Sequence, residues 1–467
     1  MHVYNTLGRA LQEFEPRTPG EVSMYVCGPT VQSAPHLGHG RQAVAFDVIR
    51  RYLTWRGFRV TYVSNITDIE DKIINAAAEQ GITAEEVARR ATSQFLDAYA
   101  RLRVLPSDDL VYATSRIPAM IEMVTRLIER SHAYPAGGSV YFSVRSLPGY
   151  GKLSGRNVDD MIAGARIEPG EHKRDPLDFA LWKASKPGEP TWDSPWGPGR
   201  PGWHIECSAM AVERLGFGFD IHGGGLDLVF PHHENEIAQA EGAEGSEPFA
   251  RYWLHNGMLN LRGEKMAKSE GNVVGLLDVL DGHRSEAVRL YYLRAQYRQP
   301  LEFAEDLLVD AGASLDRLWA FRRRLGETKA APDADVVAAF RSAMDEDFNT
   351  AEAMAVLFDA VREGNRLLDA GEDAEPMAAA YDVIATVLAV EERASDLGNL
   401  VDPLTALAAE MGATGMSPEV IIADLIGLRA AAREARDFAM SDRIRDELAG
   451  LGLVLEDGPD GTTWHRR

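Results

Sequence analysis

Cys27 and Cys207 are the only two cysteines in 467 residues, and each sits in a phrase dense in other reactive side chains, YVCGPT and PGWHIECSAM. His232 and Glu236 follow Cys207 by 25 and 29 residues in VFPHHENE. Two thiols, an imidazole and a carboxylate are ligand types that Zn²⁺ accepts. If the four meet in space, the chain holds one zinc ion. The i, i+4 spacing puts His232 and Glu236 on one face of a helix starting at Pro231. His233, at i, i+3 from Glu236, competes for the same place, and spacing does not choose between them.

A second set of residues suits a polyphosphate. His36 and His39, in PHLGHG, stand on the first turn of a helix beside free backbone N–H groups that favour anions, and Gly38 lets a phosphate approach the backbone. Lys265 and Lys268, in KMAKS, lie three apart in a Gly- and Glu-flanked loop. Such a loop can close over a triphosphate and stabilise charge on the leaving pyrophosphate. Alone, either phrase is also compatible with a solvated turn. Both in one chain, about 230 residues apart, point to ATP.

These residues need elements to position them. Residues 22–31 read as a buried strand running into a Gly-Pro turn, and Val44, Val48, Ile49 and Leu53 predict a helix from about Gly38 to Trp55. RVTYVSNIT predicts a second strand. Together they form a βαβ unit, whose ligand crevice lies at the carboxyl ends of the strands, where Cys27 and HLGH fall. Residues 72–131 read as mainly helical. Residues 135–201 read as irregular, an insertion between the halves of a doubly wound sheet. FDIHGGGLDLVFPHHENEIAQAE predicts strand, glycine loop and helix, and RYWLHNGMLNLRGEKMAKSEGN predicts a strand and an exposed loop. A helical region over 306–400 has a loop at 371–376. A linker at 411–418, one Arg- and Asp-rich helix over 419–450 and a short hairpin close the chain. The fold class is α/β, a doubly wound parallel Rossmann-like domain with an insertion, followed by a helical bundle and a small C-terminal domain.

Composition bounds the function. With 45% hydrophobic and 26% charged residues the chain is an ordinary globular one, and 49 basic against 71 acidic residues give a net charge of −22. That balance argues against a nonspecific polyanion binder. Local basic tracks are still available to a nucleic acid: Arg317, Arg322, Arg323, Arg324 and Lys329, then Arg429, Arg433, Arg436, Arg443 and Arg445. Solvated helix faces are the plainer reading of both. No run of 18 apolar residues and no leader signal occur, so a cytoplasmic protein with no membrane partner and no disulfide is expected.

HLGH followed by KMAKS resembles the HIGH and KMSKS signature pair of class I aminoacyl-tRNA synthetases. With YVCGPT, NITDIEDKII, PGWHIECSAM and DIHGGGLDLVFPHHENE the chain resembles the cysteinyl-tRNA synthetase family, densely over 22–75 and 200–275 and again from about 429. The resemblance implies that Cys27, Cys207, His232 and Glu236 hold Zn²⁺, with His232 favoured over His233. It implies that His36 and His39 stabilise the phosphates of ATP, that Lys268, helped by Lys265, binds them from the closing loop, and that Gly225 and Asp227 meet the nucleotide, Asp227 at the ribose. Gly28, Thr67 and Trp203 would line the amino-acid pocket. Ala267 replaces the usual serine of KMSKS, Gln32 and Ser33 stand where Tyr-Asp is frequent, and Ser64 stands where arginine is frequent, so contacts of the 32–34 loop are left unassigned.

The implied layout is a first catalytic half (1–125), a connective insertion (126–200), a second half with the KMSKS-type loop (201–305), a helical bundle (306–410) and a C-terminal anticodon-binding segment (411–467). The implied reaction joins cysteine to ATP, accompanied by Mg²⁺, as cysteinyl-adenylate, and then passes the acyl group to tRNA(Cys); a monomer is expected. A soft thiolate ligates Zn²⁺ readily and a serine hydroxyl does not, so no editing domain is required. Two other readings are a ligase passing cysteine to an amino-sugar, which would lack the terminal segment where Trp464 could stack on an unpaired base, and a zinc-stabilised, non-catalytic RNA-binding protein.

Overall fold

The computed structural model describes all residues except 159–171, 262–263, 266–272, 327, 393–399, 416, 459–460 and 467. Residues Met1–Val390 and Glu391–Arg467 form two compact units.

The first unit is built on a parallel sheet. Among the described residues it has five strands in the order β11 (Ala250–Asn256), β10 (Phe219–Gly225), β3 (Glu21–Val26), β4 (Arg59–Ile66), β5 (Asp109–Tyr112), all parallel. The chain steps outward from β3 through β4 to β5, then returns to the other side of β3 through β10 and β11. The direction of winding therefore reverses between β3 and β10, and a crevice opens at the carboxyl ends there. Cys27 directly follows β3. Helix α1 (Leu37–Trp55) starts beside it and buries Val44, Phe46, Val48, Ile49 and Leu53 against the sheet.

The stretch 72–131 is mainly helical, as expected, with helices α2 (Asp71–Gln80), α3 (Ala84–Arg101) and α4 (Ile117–Glu129), and it also contributes DLVY as edge strand β5. Of its four residues only Val111 is fully buried, too little alternation to mark a strand. The insertion is more regular than its composition suggests. Strands β6 (Ala133–Ala136), β7 (Ser139–Phe142), β8 (Phe179–Ala184) and β9 (Gly199–Pro201) make an antiparallel sheet that buries Val140, Phe142, Leu181 and Trp182. These strands are only three to six residues long, and long stretches separate β7 from β8 and β8 from β9, so period-2 patterning is weak. Finally, the glycine run His222-Gly223-Gly224-Gly225 is the end of strand β10 rather than a loop. A Cβ on Gly223 would lie 2.3 Å from the Phe46 ring of α1. Glycine lets the helix press directly on the strand.

After β11 come the short strands β12 (Leu259–Leu261) and β13 (Glu264–Lys265), helices α7 (Leu276–Gly282) and α8 (Ser285–Leu293), and strand β14 (Leu301–Phe303). Helices α9 (Glu305–Arg323), α10 (Ala334–Asp345), α11 (Thr350–Ala370) and α12 (Glu375–Leu388) follow, the helical region read from the pattern. Leu315, Leu318, Phe340, Leu357 and Ile384 from these helices share one apolar core with α1. A buried ion pair crosses that core: the Arg289 guanidinium on α8 donates to Asp47 of α1 at 2.7 Å, and neither side chain is exposed. Arg289 also donates to the Leu102 and Leu388 carbonyls, at 2.9 and 3.0 Å.

In the second unit, α13 (Val401–Met411), α14 (Pro418–Glu434), α15 (Phe438–Gly450) and the hairpin β15 (Leu453–Gly458)–β16 (Gly461–Arg466) enclose a small core of Leu404, Ile422, Leu425, Ile444 and Leu448. The single helix expected over 419–450 is two. Arg436 takes a φ of 59° and Asp437 caps α15 by accepting from the Met440 N–H at 3.1 Å, so a turn interrupts the run. Trp464, opposite Leu455 in the hairpin, is half-buried against this core. Arg429 and Arg433 both donate to Asp457, at 2.7 and 2.9 Å, which occupies part of the basic track read from the sequence.

The Asp47–Arg289 pair generates a stability prediction. Replacing Arg289 by Met leaves a buried carboxylate with only the Arg51 guanidinium and the Leu105 N–H as described partners, and should cost about 3–5 kcal/mol of unfolding free energy. Chemical denaturation followed by circular dichroism measures it; an unchanged midpoint would show that the pair contributes nothing.

Candidate active site

Four segments converge below the crevice. Cys27 leaves β3 and its N–H donates to the Gly223 carbonyl at 3.0 Å, which fixes the thiol beneath β10. Cys207 sits on α5 (Trp203–Leu215), His232 on the turn after β10, and Glu236 in the first turn of α6 (Glu234–Glu244). Phe230 is extended (φ −141°) and the backbone turns helical at Pro231, as the spacing predicts: a wider helical turn through His232 and His233 leads without a break into α6 at Glu234. One ligand atom from each of Cys27, Cys207, His232 and Glu236 lies within 4.8 Å of the others, and all four are buried. A second set, Cys27, His222, His233 and Glu236, satisfies the same limit and shares two members. The spacing ambiguity between His232 and His233 thus has a spatial counterpart.

The local bonding separates the two histidines. His232 Nε2 lies 3.0 Å from Glu236 Oε1 and its Nδ1 lies 2.9 Å from His204 Nδ1. His233 Nε2 is 3.8 Å from the same oxygen, and its Nδ1 is 2.7 Å from His255 Nε2, which continues to Thr6. His222 Nε2 holds the other Glu236 oxygen at 2.8 Å. The Cys27 thiol donates to Glu236 Oε1 at 3.3 Å.

Electrostatics follow from burial and pairing. Burial pushes the Cys27 thiol well up. The hydrogen bond from Cys27, with help from His232 and against burial, brings Cys207 down to about 6, so Cys207 is the thiolate of the pair near neutrality. Burial opposes charge on His232, but Glu236 and Cys207 outweigh it and raise the imidazole to about 10. Burial likewise opposes the Glu236 carboxylate, yet His222 and His232 hold it well below the usual range. Among the neighbours, burial depresses His204 and His233 well below the ordinary imidazole value and His255 to about 3. The cluster is therefore a buried pocket with two anionic ligands and two protons, one on His232 and one on Cys27, that a cation would have to displace, a donor set that fits a divalent cation with thiolate affinity.

Asn65, which the sequence reading did not single out, ties the pocket together. Its Oδ1 accepts from the Gly28 N–H at 2.8 Å and the Tyr25 hydroxyl at 3.2 Å and lies 3.7 Å from the Cys207 sulfur, while its Nδ2 donates to Thr67 at 3.2 Å. Thr67, buried, donates to Glu206 at 2.9 Å. Burial and the nearby thiolate hold Glu206 well above the usual carboxylate range. Gly28 is obligatory: a Cβ there would lie 1.6 Å from the Asn65 carbonyl. The NIT and HIEC phrases carried Asn65, Glu206 and His204, but no spacing rule links them.

Above this pocket lies a crevice of about 230 Å³ whose walls include Gly28, His36, His39, Lys72, Trp203 and Asp227. Gly38 and Gly225 also border it, and the Trp203 ring stacks on His232 with centroids 4.2 Å apart. At the start of α1 the two signature histidines cap the helix: the Gly38 N–H donates to His36 Nδ1 and the His36 N–H to His39 Nδ1, both at 3.1 Å. An Nδ1 that accepts carries no proton, so both imidazoles are neutral and hold their proton on Nε2. Lys268 lies outside the described residues, and of Lys265 only its place in β13 is described. A larger groove of about 1020 Å³ runs along α2, α3 and Trp192 and contains none of these residues.

The fold and crevice are those of a class of nucleotide-activating ligases. Residues 13–313 match the family described as tRNA synthetases class I (C) catalytic domain, residues 339–390 the DALR domain, and residues 421–464 the cysteinyl-tRNA ligase anticodon binding domain. The Mycobacterium tuberculosis methionyl-tRNA synthetase in complex with methionyl-adenylate shares the fold, with a TM-score of 0.54 and 16% identity over 94% of each chain. The cysteine-tRNA ligase of Alkalilimnicola ehrlichii is 52% identical over all of both chains, and that of Syntrophotalea carbinolica 49% over all of both. The chain belongs to the cysteine-tRNA ligase family of class I aminoacyl-tRNA synthetases. No helix among the described residues is long and apolar enough to cross a membrane.

The protonation pattern yields a linkage prediction. A divalent cation must displace the protons of His232 and Cys27, so binding at pH 7 should release about two protons, and apparent affinity should rise from pH 6 to 8. Calorimetry of Zn²⁺ binding to metal-stripped protein in buffers of different ionisation enthalpy counts the protons. No release would contradict the protonation states above.

Proposed function

We propose that this chain activates cysteine with ATP and transfers it to tRNA(Cys), selecting the substrate by its sulfur. The observation that carries the reading is the convergence of Cys27, Cys207, His232 and Glu236 directly under the crevice bordered by HLGH. We assign Zn²⁺ to this quartet, with His232 the imidazole ligand because it brings Cys207 and touches Trp203. When bound, the ion supplies a soft acceptor for the thiolate of cysteine and a poor one for the hydroxyl of serine.

The chain's own groups do the rest. Gly28, Thr67 and Trp203 shape the amino-acid pocket: Trp203 covers it, while Thr67 acts beneath it through Glu206. His36 and His39, neutral with Nε2–H donors, bind phosphate oxygens where charge develops. Gly38 and Gly225 admit the nucleotide, Asp227 accepts from the ribose, and Lys268 with Lys265 closes over the leaving pyrophosphate. A cysteine carboxylate oxygen attacks the α-phosphate, and pyrophosphate leaves with its bonding pair. The terminal ribose hydroxyl of the tRNA then takes the acyl group and AMP leaves. Positioning and charge stabilisation suffice, and no protein nucleophile is required. Mg²⁺ accompanies ATP. The segment 411–467, within the second unit, is assigned to anticodon reading, the insertion 126–200 to a connection between catalytic halves 1–125 and 201–305, and 306–410 to a helical bundle, whose last helix, Val401–Met411, belongs to the second unit. We assign the enzyme to the cytoplasm as a monomer. The match of residues 421–464 to an anticodon-binding domain favours tRNA over an amino-sugar as acceptor.

Zinc content by elemental analysis, together with pyrophosphate exchange using cysteine and serine in parallel, tests the reading. Wild-type protein should hold one zinc per chain and exchange with cysteine at least about a hundredfold better than with serine. Cys207→Ser should lose both metal and discrimination, and Lys268→Ala should slow exchange by about 10² or more. Equal exchange with serine would overturn the proposed basis of selection, and exchange supported by neither amino acid would overturn the activity.

A further inference from the structure

The chemistry proposed above brings an amino-acid carboxylate against a triphosphate, two anions in one crevice, yet the described walls supply little positive charge. His36 and His39 are neutral because each Nδ1 is spent on a helix-capping bond. Asp227 adds an acidic side chain. Among the described residues lining the crevice, Lys72 is the only lysine or arginine.

Lys72 is placed for one end of that crevice. It stands in the first turn of α2, where its own N–H donates to the Glu70 carboxylate at 2.6 Å and caps the helix. The preceding residue, Asp71, is held by both Lys183 and Arg200, and Arg200 in turn by Glu189, so the turn that launches the Lys72 side chain is pinned to the antiparallel sheet. Asp71 absorbs those two cations and leaves Lys72 unpaired: no described carboxylate lies within ion-pair distance of its ammonium. The Lys72 Nζ instead lies 5.8 Å from the centre of the Trp203 ring, the ring that stacks on His232. Its charge thus stands near the ring that also packs on the thiol-bearing cluster, at the amino-acid end of the crevice.

We propose that Lys72 is a substrate-binding residue whose ammonium pairs with the α-carboxylate of the incoming amino acid while Trp203 borders its side chain. The inference rests on the reading that cysteine is the substrate. The pair orients one carboxylate oxygen toward the α-phosphate and offsets the repulsion between the two anions on approach. Once the mixed anhydride forms, the carboxylate charge is gone, and the ammonium is left to face the phosphate of the adenylate.

Three proteins and two ligands test this. In pyrophosphate exchange, Lys72→Met should raise the KM for cysteine about tenfold with the KM for ATP within about twofold, and Lys72→Arg should recover most of the loss. Cysteamine, which is cysteine without its carboxylate, should inhibit wild type and Lys72→Met with the same constant. Calorimetric titration of cysteine and cysteamine into zinc-loaded protein repeats the comparison without turnover. An unchanged cysteine KM and affinity in Lys72→Met would overturn the proposal. So would a parallel loss of cysteamine binding, which would mean that Lys72 merely supports Trp203. Absence of exchange in the wild type would instead count against the proposed activity, and the titrations would still decide whether Lys72 reads a carboxylate.

Discussion

A carboxylate with no solvent exposure, Glu236, lies inside the first unit with one oxygen bonded to His222 and the other to His232 and Cys27. A buried charge is tolerated only when it is paired and fully bonded. Everything around Glu236 meets that demand. Strand β10 brings His222 from below, the turn after it brings His232 from the side, and β3 ends just where the Cys27 thiol can donate. The same arrangement that neutralises the carboxylate also points two thiols and an imidazole at one small volume. The electrostatic cost of the site and its capacity for a cation therefore have one origin.

The sheet supplies the rigidity this requires. Cys27 and His222 come from neighbouring strands held by parallel ladder bonds, with Tyr25 opposite His222 in register. Glycines at 28 and 223 permit approaches that a Cβ would block. Helix α1 is pressed onto β10 through Phe46 and tied to α8 and the end of α12 by the Arg289–Asp47 pair. The capping histidines of α1 are thereby placed relative to the cluster by the core, not by local loop structure. A site assembled on strand ends and helix starts keeps its geometry better than one assembled on loops, as catalysis by positioning demands.

Charge is sorted by location. The cluster is buried and anionic, the signature histidines are neutral donors, and among the described residues lining the crevice Lys72 is the one lysine or arginine. Asp71 illustrates the sorting: it gathers Lys183 and Arg200 into the structural joint between α2 and the antiparallel sheet, and leaves the adjacent lysine available to the crevice. In the second unit Asp457 does the same to Arg429 and Arg433, so part of a run that looks like a basic track along the sequence is internal bonding.

The sequence by itself determined which atoms could do chemistry. Only two thiols exist, HLGH and KMAKS share one chain, and the strand, turn and helix around residues 22–55 follow from periodicity because the core face of α1 is continuous. It also determined the family, since those phrases are dense enough to identify it. Tertiary structure decided what local patterns do not encode: the four-residue strand β5, the antiparallel sheet of the insertion, the glycine run as strand end, and the break between α14 and α15. Each depends on a partner distant in sequence, or on a single backbone torsion such as that of Arg436. The same reason explains Asn65 and Glu206, whose roles come from contacts made across 37 to 142 residues of chain. Periodicity registers which face a residue occupies; only the packed fold sets which distant group meets it there.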